Sequence, residues 1–351
     1  MKVVIDEKIP YLVEALEAMG CSVKALPGAA ICKEDVADAE ALFVRTRTKC
    51  DAALLDGSKV RFIGTATIGY DHIDTSYCSN SGIRWTNAAG CNAGAVLQYI
   101  QSVLYAWSLD KGVVLSGLVL GVVGVGEIGS RVAAWAVSIG MKVLQNDPPR
   151  EACGEKGFVS LSELAEKCDI ITFHPSLNKE GAFPSYHLAD EAFFASLKRC
   201  RLLINASRGP VVDNVALYKA LSSGSLCDAV LDVWENEPEI DRILLNKVYL
   251  ATPHIAGYSA EGKMNATRMV LEAFARFTGY EGVLPILSLP VPANADIVAS
   301  DESEALLKIY SPKTDSMALK QTPSLFEKLR NEYVLRREPS SYNVVLLQSI
   351  T

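Results

Sequence analysis

The sequence has no long uninterrupted run of hydrophobic residues. A membrane-spanning helix needs about 18 or more apolar residues in a row, and no stretch of this chain reaches that length, so no membrane partner is expected. The chain also has no excess of basic residues, since 34 Lys and Arg face 41 Asp and Glu and give a formal net charge of −7. Nucleic-acid binding needs a basic face, so nucleic acid is not an expected partner either.

The cysteines show no C-x-x-C spacing, and their number, nine, is odd. This pattern predicts neither a disulfide framework nor a zinc site, and we expect no metal in the protein. Free thiols are typical of a reducing compartment, so the cytoplasm is the expected location.

Short apolar strands alternate with amphipathic helical patterns along most of the 351 residues. Such alternation predicts parallel sheets covered by helices, and we expect two Rossmann-like, doubly wound α/β domains. The first strands are predicted at residues 3–5, 22–25, 41–44 and 61–64, with a helix at 11–19. The second series is predicted at residues 119–123, 142–145, 170–173, 202–204, 229–231 and 248–251, after a strongly apolar helix at 96–108.

A glycine-rich turn follows the predicted strand at 119–123, and a helical pattern begins directly after it. In this G-x-G-x-x-G motif, Gly124 allows a tight turn, Gly126 lets the backbone approach a pyrophosphate, and Gly129 permits close helix packing. The helix N-terminus adds N–H donors and a positive dipole. The predicted cofactor-binding residues of this segment are Gly124, Gly126, Glu127, Ile128 and Gly129.

An acidic residue, Asp147, ends the next predicted strand. A carboxylate there accepts hydrogen bonds from the adenosine ribose and repels a 2′-phosphate, which predicts NAD rather than NADP as cofactor. The alternative is an ordinary glycine turn followed by a surface aspartate. The register of strand, turn, helix and acid favours the nucleotide site.

Three polar segments, at 205–209, 232–238 and 252–257, each follow a predicted strand of the second series. The carboxyl ends of parallel strands line the ligand crevice of such sheets. Oxidation of an alcohol by NAD removes a hydride from carbon and a proton from the hydroxyl group. His254 suits the role of proton acceptor, Glu237 can orient it, and Arg208 can hold a substrate carboxylate. Each residue alone has an ordinary structural explanation, and only their joint placement favours catalysis.

These segments resemble the signatures of the D-isomer-specific 2-hydroxyacid dehydrogenase family, over roughly the first 280 residues. The resemblance is carried by Gly121–Gly129, Asn205–Gly209 and Pro253–Gly257. It implies that Arg208, Glu237 and His254 are catalytic. The other cofactor-binding positions that it implies are Pro175, Ala206, Ser207, Asp232 and Gly257, with Asp232 on the nicotinamide amide.

Pro175 departs from the family pattern, in which a threonine at this position contacts the cofactor. Proline has neither a hydroxyl group nor a backbone N–H. The hydrogen bond that the threonine would make is therefore expected to be absent, while the fold is expected to be retained.

The N-terminal segments and the tail resemble one branch of this family. The segments that carry this likeness are 6–11, 44–49, 64–72, 89–93, 254–263 and 326–338. The resemblance implies oxidation of 4-phospho-D-erythronate by NAD to 2-oxo-3-hydroxy-4-phosphobutanoate, in pyridoxal 5′-phosphate synthesis. It implies substrate binding by Arg45, Thr46, Thr67, Ile68, Gly69 and Tyr258. Arg45, Arg47 and Lys49 would supply the local positive charge that the chain as a whole lacks.

We predict three domains from these patterns. A substrate-binding domain comprises residues 1–95 and 257–284, because a helical pattern at 259–277 is expected to cross back to the first sheet. An NAD-binding domain comprises residues 96–256. Residues 285–351 form a small α+β domain, with a helix at 326–337 and a strand at 343–347. Because so small a unit buries little surface alone, we expect it to dock on a second copy and form a homodimer.

Two other functions stay open at this point. One is another dehydrogenase of the family, such as a D-3-phosphoglycerate dehydrogenase, against which the pattern at 258–263 and the tail argue. The other is an NAD(H)-sensing co-repressor of the same fold, which binds peptide motifs. The acidic composition and the lack of a disordered tail argue against that role.

Overall fold

The computed structural model describes residues 1–347 of the chain. Residues 348–351, which end the predicted C-terminal domain, lie outside the described residues. Within residues 1–347, no helix combines the length and apolar character that crossing a membrane requires.

Thirteen strands and fifteen α-helices are present in the part of the chain that the structure describes. The strands are β1 (Lys2–Asp6), β2 (Ser22–Leu26), β3 (Ala41–Val44), β4 (Phe62–Thr65), β5 (Arg84–Asn87), β6 (Val119–Val123), β7 (Lys142–Asn146), β8 (Ile170–Phe173), β9 (Leu202–Asn205), β10 (Asp228–Leu231), β11 (Leu250–Ala251), β12 (Asp296–Ala299) and β13 (Asn343–Leu346). The helices are α1 (Leu12–Ala18), α2 (Lys33–Val36), α3 (Ala52–Leu55), α4 (Thr75–Asn80), α5 (Ala93–Lys111), α6 (Glu127–Ser138), α7 (Pro148–Ala152), α8 (Leu161–Lys167), α9 (Glu191–Ser196), α10 (Asn214–Ser223), α11 (Arg242–Lys247), α12 (Ala260–Thr278), α13 (Glu302–Ile309), α14 (Pro312–Gln321) and α15 (Phe326–Asn331).

The first of two compact units comprises Met1–Asn92 and Ser259–Val291. Its five strands are all parallel, in the order β2-β1-β3-β4-β5. Phe274 of α12 packs in the core on one face of this sheet, with its ring centroid 5.3 Å from that of Phe43 and 5.4 Å from that of Phe62. This contact attaches α12 to a sheet formed by the N-terminal residues.

The second unit comprises Ala93–Tyr258 and Pro292–Thr351. Its main sheet has six parallel strands in the order β11-β10-β9-β8-β6-β7. The central strands β8 and β9 are buried over their whole length, as expected for a parallel sheet covered on both faces. The chain reverses its direction of travel across the sheet at β6, which pairs with β7 on one side and β8 on the other. Ligands of doubly wound sheets bind outside the carboxyl ends of the strands at such a point.

Both sheets confirm the predicted doubly wound α/β fold. Two strands escaped prediction, β5 and β12. The sequence of β5, Arg-Trp-Thr-Asn, has no apolar run because this strand lies at the edge of its sheet.

The C-terminal residues share the core of the second unit. The side chains of Leu319 and Phe326 are buried in the apolar cluster on one face of the six-stranded sheet, and Tyr310 is buried in the cluster on the other face. The Ser316 hydroxyl accepts a hydrogen bond from the backbone N–H of Ala251, at 3.0 Å. Strands β12 and β13 form a separate parallel pair within this segment.

The helix predicted at 326–337 is wrong beyond Asn331, where α15 ends. The following residues leave the helix, and Arg336 becomes buried among backbone carbonyl groups. Its guanidinium donates to the carbonyl oxygens of Ile255, Ala256 and Ala95. The apolar spacing alone had indicated that α15 continues to residue 337. The hydrogen bonds from Arg336 to these buried carbonyl oxygens outweigh those further helical turns.

Candidate active site

The glycine-rich turn after β6 has the geometry that its motif predicts. Gly124 has a φ of +80°, and a Cβ atom at this position would lie 2.5 Å from the backbone nitrogen of Pro175. A side chain is therefore excluded both by the backbone conformation and by the close approach of the β8 loop. Gly126 precedes α6, and a Cβ there would meet no atom within 4 Å. The space beside Gly126 is thus open to a ligand.

A cavity of about 440 Å³ lies beside this turn. Its walls come from the ends of three neighbouring strands: the turn after β6, Asn146 and Asp147 of β7 and its loop, and His174 and Pro175 after β8. Burial lowers the pKa of His174 to about 3, so its ring stays neutral. Its Nδ1 atom has no hydrogen-bond partner within residues 1–347. The open glycine backbone and this unpaired polar atom fit a dinucleotide.

Asp147 connects the glycine turn to the helix that follows β7. Its Oδ2 atom accepts a hydrogen bond from the backbone N–H of Val125 at 2.7 Å, and its Oδ1 atom accepts one from the N–H of Arg150 at 3.1 Å. The carboxylate therefore caps α7 and holds the turn in place, in addition to the predicted contact with a ribose.

We expect the substitution Asp147→Asn to lower the preference for NAD over NADP by about tenfold, because it removes one negative charge beside the 2′ position. Asparagine retains an oxygen that can accept the bond from Val125, so the turn is expected to persist. The measurement is kcat/KM with each cofactor. Asp190→Asn, at the N-terminus of α9, is the matched control because Asp190 also caps a helix. An unchanged ratio in the Asp147 variant would contradict the ribose contact.

His254 and Glu237 lie in the segments that follow the neighbouring strands β11 and β10. The imidazole Nδ1 atom of His254 is 2.8 Å from Oε2 of Glu237. The other carboxylate oxygen of Glu237 accepts a hydrogen bond from the backbone N–H of Trp234, at 2.9 Å. Burial opposes ionisation of Glu237, but the hydrogen bond and charge of His254 hold the pKa of this carboxyl group below its ordinary value. An ionised carboxylate therefore stands behind the imidazole.

Asp232 organises the loop that carries His254. Its carboxylate is 1% exposed and accepts hydrogen bonds from the Thr252 hydroxyl and from the backbone N–H groups of Ile255 and Ala256. His254 itself has a φ of +58°, a conformation that is unfavourable for residues other than glycine. The hydrogen bonds from Thr252, Ile255 and Ala256 to Asp232 hold His254 in this conformation. The predicted contact of Asp232 with nicotinamide stays a prediction.

Arg208 follows β9, in a loop that packs against the Glu237 segment. A Cβ atom on the next residue, Gly209, would lie 1.9 Å from the carbonyl oxygen of Trp234. The Asn205 side chain braces the loop, because it donates to the carbonyl oxygen of Arg208 and accepts from Ser207. The loop therefore contacts the segment that carries Glu237, through Gly209 and Trp234. The Arg208 side chain itself is exposed. Ala206 and Ser207 of the same loop are buried.

The predicted substrate residues of the first unit lie in two adjacent loops. Arg45 and Thr46 follow β3, and residues 67–69 follow β4, which pairs with β3 in parallel. The Thr67 hydroxyl donates to the carbonyl oxygen of Gly69 at 2.8 Å, which shapes the second loop. Lys49 forms an ion pair with Asp51, so its charge is partly neutralised.

Lys263 escaped prediction as a site residue. It lies in the first turns of α12, in the first unit. Burial and the positive charge of Arg45 lower the pKa of the Lys263 ammonium group. Two cationic side chains therefore act on one another in this unit, although the sequence separates them widely.

Arg330 also escaped prediction, because it lies far from the other site residues in the sequence. In the second unit its Nη1 atom is 3.6 Å from Oε2 of Glu237, and its Nε atom donates to the hydroxyl oxygen of Tyr258 at 3.3 Å. The predicted substrate residue Tyr258 is thus linked to the His254–Glu237 pair by a side chain from the tail.

None of the nine cysteines forms a disulfide bond within residues 1–347. One group of potential metal ligands, His187, Asp213 and Glu235, has its ligand atoms within 4.8 Å of one another. However, Nε2 of His187 contacts Glu235 at 2.7 Å, whereas Nδ1 is the atom near Asp213, at 3.7 Å. The imidazole therefore lies between the two carboxylates, and each carboxylate faces a different ring nitrogen.

Comparison with known proteins identifies the family. Residues 98–256 match the family described as D-isomer specific 2-hydroxyacid dehydrogenase, NAD binding domain. The chain is 54% identical to an erythronate-4-phosphate dehydrogenase from Bacteroides fragilis, over 99% of both chains. It is 43% identical to one from Proteus mirabilis, over 98% of this chain and 95% of the relative.

A solved structure with the same fold is the NAD⁺-bound 3-phosphoglycerate dehydrogenase of Entamoeba histolytica. It is 25% identical to this chain and has a TM-score of 0.64, and the match covers 83% of this chain and 99% of that one. The expected cofactor, NAD, is confirmed by the family match and this neighbour. The chain belongs to the D-isomer specific 2-hydroxyacid dehydrogenases, and within them to the NAD-dependent erythronate-4-phosphate dehydrogenases.

Proposed function

We propose that this protein oxidises 4-phospho-D-erythronate to 2-oxo-3-hydroxy-4-phosphobutanoate with NAD, as a step towards pyridoxal 5′-phosphate. The observation that carries the proposed chemistry is the His254–Glu237 pair, joined at 2.8 Å beside the Arg208 loop. The choice of substrate rests on the relatives named erythronate-4-phosphate dehydrogenase, which are 43–54% identical to the chain over nearly its full length.

In this reaction the protein holds the substrate and receives one proton. Arg208 binds the substrate carboxylate through its planar, bidentate guanidinium. The Nδ1 atom of His254 is engaged by Glu237, which leaves Nε2 to accept the proton of the C2 hydroxyl group. Ionised Glu237 stabilises the imidazolium that results. When bound, NAD supplies the acceptor for the hydride that leaves C2 as the carbonyl forms.

The cofactor would be held in the cavity beside the glycine turn. Residues of the turn and of the start of α6 would receive the pyrophosphate, and Asp147 the adenosine ribose. Residues proposed to contact the rest of the cofactor are Pro175, Ala206, Ser207, Asp232 and Gly257. The backbone of Pro175 packs against Gly124 at the wall of the cavity. This position supports a van der Waals contact between Pro175 and the cofactor, without a hydrogen bond.

The phosphate of the substrate requires positive charge, which the first unit supplies. Arg45 lies close enough to Lys263 for its charge to lower the pKa of that ammonium group. A dianion between them would relieve this repulsion. We therefore assign the phosphate to the first unit, with Thr46 and residues 67–69 as further substrate contacts. Tyr258, another proposed substrate contact, belongs to the second unit, as do the proposed cofactor residues.

A homodimer formed through the C-terminal segment is the proposed assembly. The parallel pair of β12 and β13 is a two-stranded sheet, separate from the main sheet of the second unit. Several of its aliphatic side chains are exposed, including Val298 at 48% and Val345 at 54%, and Leu347, which follows β13, is 59% exposed. A second copy of the chain would cover them. Nine cysteines without a disulfide bond within residues 1–347 support a reducing location, the cytoplasm.

The deciding experiment is a substrate panel with purified protein, NAD and detection of NADH by absorbance. We expect kcat/KM for 4-phospho-D-erythronate to exceed that for D-3-phosphoglycerate, D-lactate and D-erythronate by about a hundredfold or more. D-Erythronate is the matched control because it lacks only the phosphate. A preference for D-3-phosphoglycerate would contradict the proposed substrate. No turnover of any hydroxyacid, together with NADH-dependent binding of a protein partner, would instead indicate a co-repressor.

A further inference from the structure

The side chain of Arg330 lies beside the proposed proton acceptor and its carboxylate. Its Nη1 atom is 3.6 Å from Oε2 of Glu237, the same oxygen that accepts from Nδ1 of His254. One carboxylate oxygen therefore faces both the imidazole of His254 and the guanidinium of Arg330. Glu237 is largely buried, with a side-chain exposure of 17%, so these interactions are only weakly screened by solvent.

Arg330 is also joined to Tyr258, which follows the His254 loop. The Nε atom of Arg330 donates a hydrogen bond to the Tyr258 hydroxyl oxygen, at 3.3 Å. The ring of Tyr258 packs edge-on against that of Tyr333, with the centroids 6.1 Å apart. The tail thus holds this tyrosine from two sides.

The position of Arg330 is set by anchors before and after it in the tail. Phe326, one helical turn earlier in α15, is 2% exposed and belongs to the core of the second unit. Arg336 is buried and donates to the carbonyl oxygens of Ile255 and Ala256, which directly follow His254. These two anchors therefore hold the guanidinium of Arg330 beside Glu237 and Tyr258.

We propose that Arg330 is a positioning residue of the active site, which shares the Glu237 carboxylate with His254 and orients the Tyr258 hydroxyl group. Because the guanidinium and the imidazole share one carboxylate oxygen, loss of Arg330 would leave the imidazole as the only side chain paired with the Glu237 carboxylate among residues 1–347. This proposal rests on the proposed role of His254 and Glu237 in the reaction.

The charges acting on this carboxylate agree with the geometry. Burial raises the pKa of Glu237, and the hydrogen bond and charge of His254, the Trp234 N–H and the charge of Arg330 together hold it below its ordinary value. Asp315 and Arg336 also lie on the tail, and each is within hydrogen-bonding reach of the Tyr333 hydroxyl, at 3.4 and 3.5 Å. Of the titratable and charged side chains within residues 1–347, only those of His254 and Arg330 lie within 4 Å of the Glu237 carboxylate oxygens, at 2.8 and 3.6 Å.

The test is the pH dependence of kcat/KM for Arg330→Gln and Arg330→Lys, with the hydroxyacid that the wild-type protein oxidises best. In Arg330→Gln we expect the acidic limb to move to higher pH by about half a unit to one unit, because a positive charge near the imidazole is lost. In Arg330→Lys the limb should return towards its wild-type position, since the charge is restored. Binding of NADH, followed by fluorescence, should be unchanged in both variants.

Lys328→Gln is the matched control, because Lys328 lies on the same helix, α15, and its side chain is 61% exposed. The ion-pair partner of Lys328 is Glu332, at 3.9 Å, and not the carboxylate of the proposed catalytic pair. This variant should keep the wild-type pH profile.

Two results would overturn the proposal. One is an acidic limb that stays in place in Arg330→Gln while kcat/KM falls equally at all pH values, which would show a merely structural role. The other is an unchanged kcat/KM at every pH. The proposed substrate is tested separately by the panel, because this profile is taken with whichever hydroxyacid is turned over.

Discussion

Replacing His254 with alanine is expected to lower kcat by about 10²–10⁴-fold, the range typical for loss of a positioned general base. The imidazole is the proposed acceptor of the hydroxyl proton, and Glu237 holds it through Nδ1 at 2.8 Å. NAD binding should be nearly unchanged, because His254 does not line the cavity beside the glycine turn and is not among the proposed cofactor contacts. Steady-state kinetics and NADH fluorescence titration measure the two effects separately.

The chain offers a closely matched control in His187. This histidine contacts Glu235 at 2.7 Å and has a side-chain exposure of 28%, against 27% for His254. His187→Ala therefore removes a comparable His–Glu pair at a place where no proton transfer is proposed, and kcat should change by no more than a few fold. Equal losses in the two variants would indicate that the effect of His254→Ala is structural, and an unchanged rate would remove His254 from the mechanism.

Replacing Arg208 with glutamine should lower kcat/KM by about 10²–10³-fold, as expected when a charged group that orients the substrate and stabilises the transition state is lost. The side chain is exposed, while its loop is fixed by Asn205 and by the contact of Gly209 with Trp234. The fold should therefore tolerate the change. Arg208→Lys should recover only part of the activity, because an ammonium group cannot bind a carboxylate bidentately.

Arg199→Gln is the control for the loss of an arginine from the same region. Arg199 precedes β9, whereas Arg208 follows it, so the two lie at opposite ends of one strand. Arg199 pairs with Asp169 at 2.7 Å, away from the proposed chemistry. Its replacement should leave kcat/KM within about twofold of the wild-type value. If Arg208→Gln behaves in the same way, Arg208 does not hold the substrate.

Much of the cofactor region could be predicted from local sequence. The turn needs a positive φ at Gly124 and space for a ligand beside the backbone of Gly126. Glycine meets both requirements, so both can be predicted from the residue type. Strand periodicity placed Asp147 at the end of β7, beside the turn. What could not be predicted was the bond from Val125 to Asp147, because a hydrogen bond between loops depends on how the strands pair.

The tail shows the limit of local patterns most clearly. Apolar spacing predicted a helix through 337, but α15 ends at Asn331, and Arg336 instead donates to the carbonyl oxygens of Ile255 and Ala256 in the loop that carries His254. Spacing reports which residues favour burial, and it carries no information about unpaired acceptors elsewhere in the chain. Arg330 escaped prediction for the same reason.

The sequence by itself determined the doubly wound class, the glycine turn with its acidic partner, and the strand ends from which Arg208, Glu237 and His254 project. These features follow from local periodicity and from residue types with narrow conformational or chemical roles. Only the tertiary structure decided that Asp232 clamps the His254 loop, that Lys263 lies near Arg45, and that Arg330 faces Glu237. Those contacts join residues far apart in the chain, and they form only when sheets and tail pack, because burial and hydrogen-bond satisfaction are properties of the folded whole.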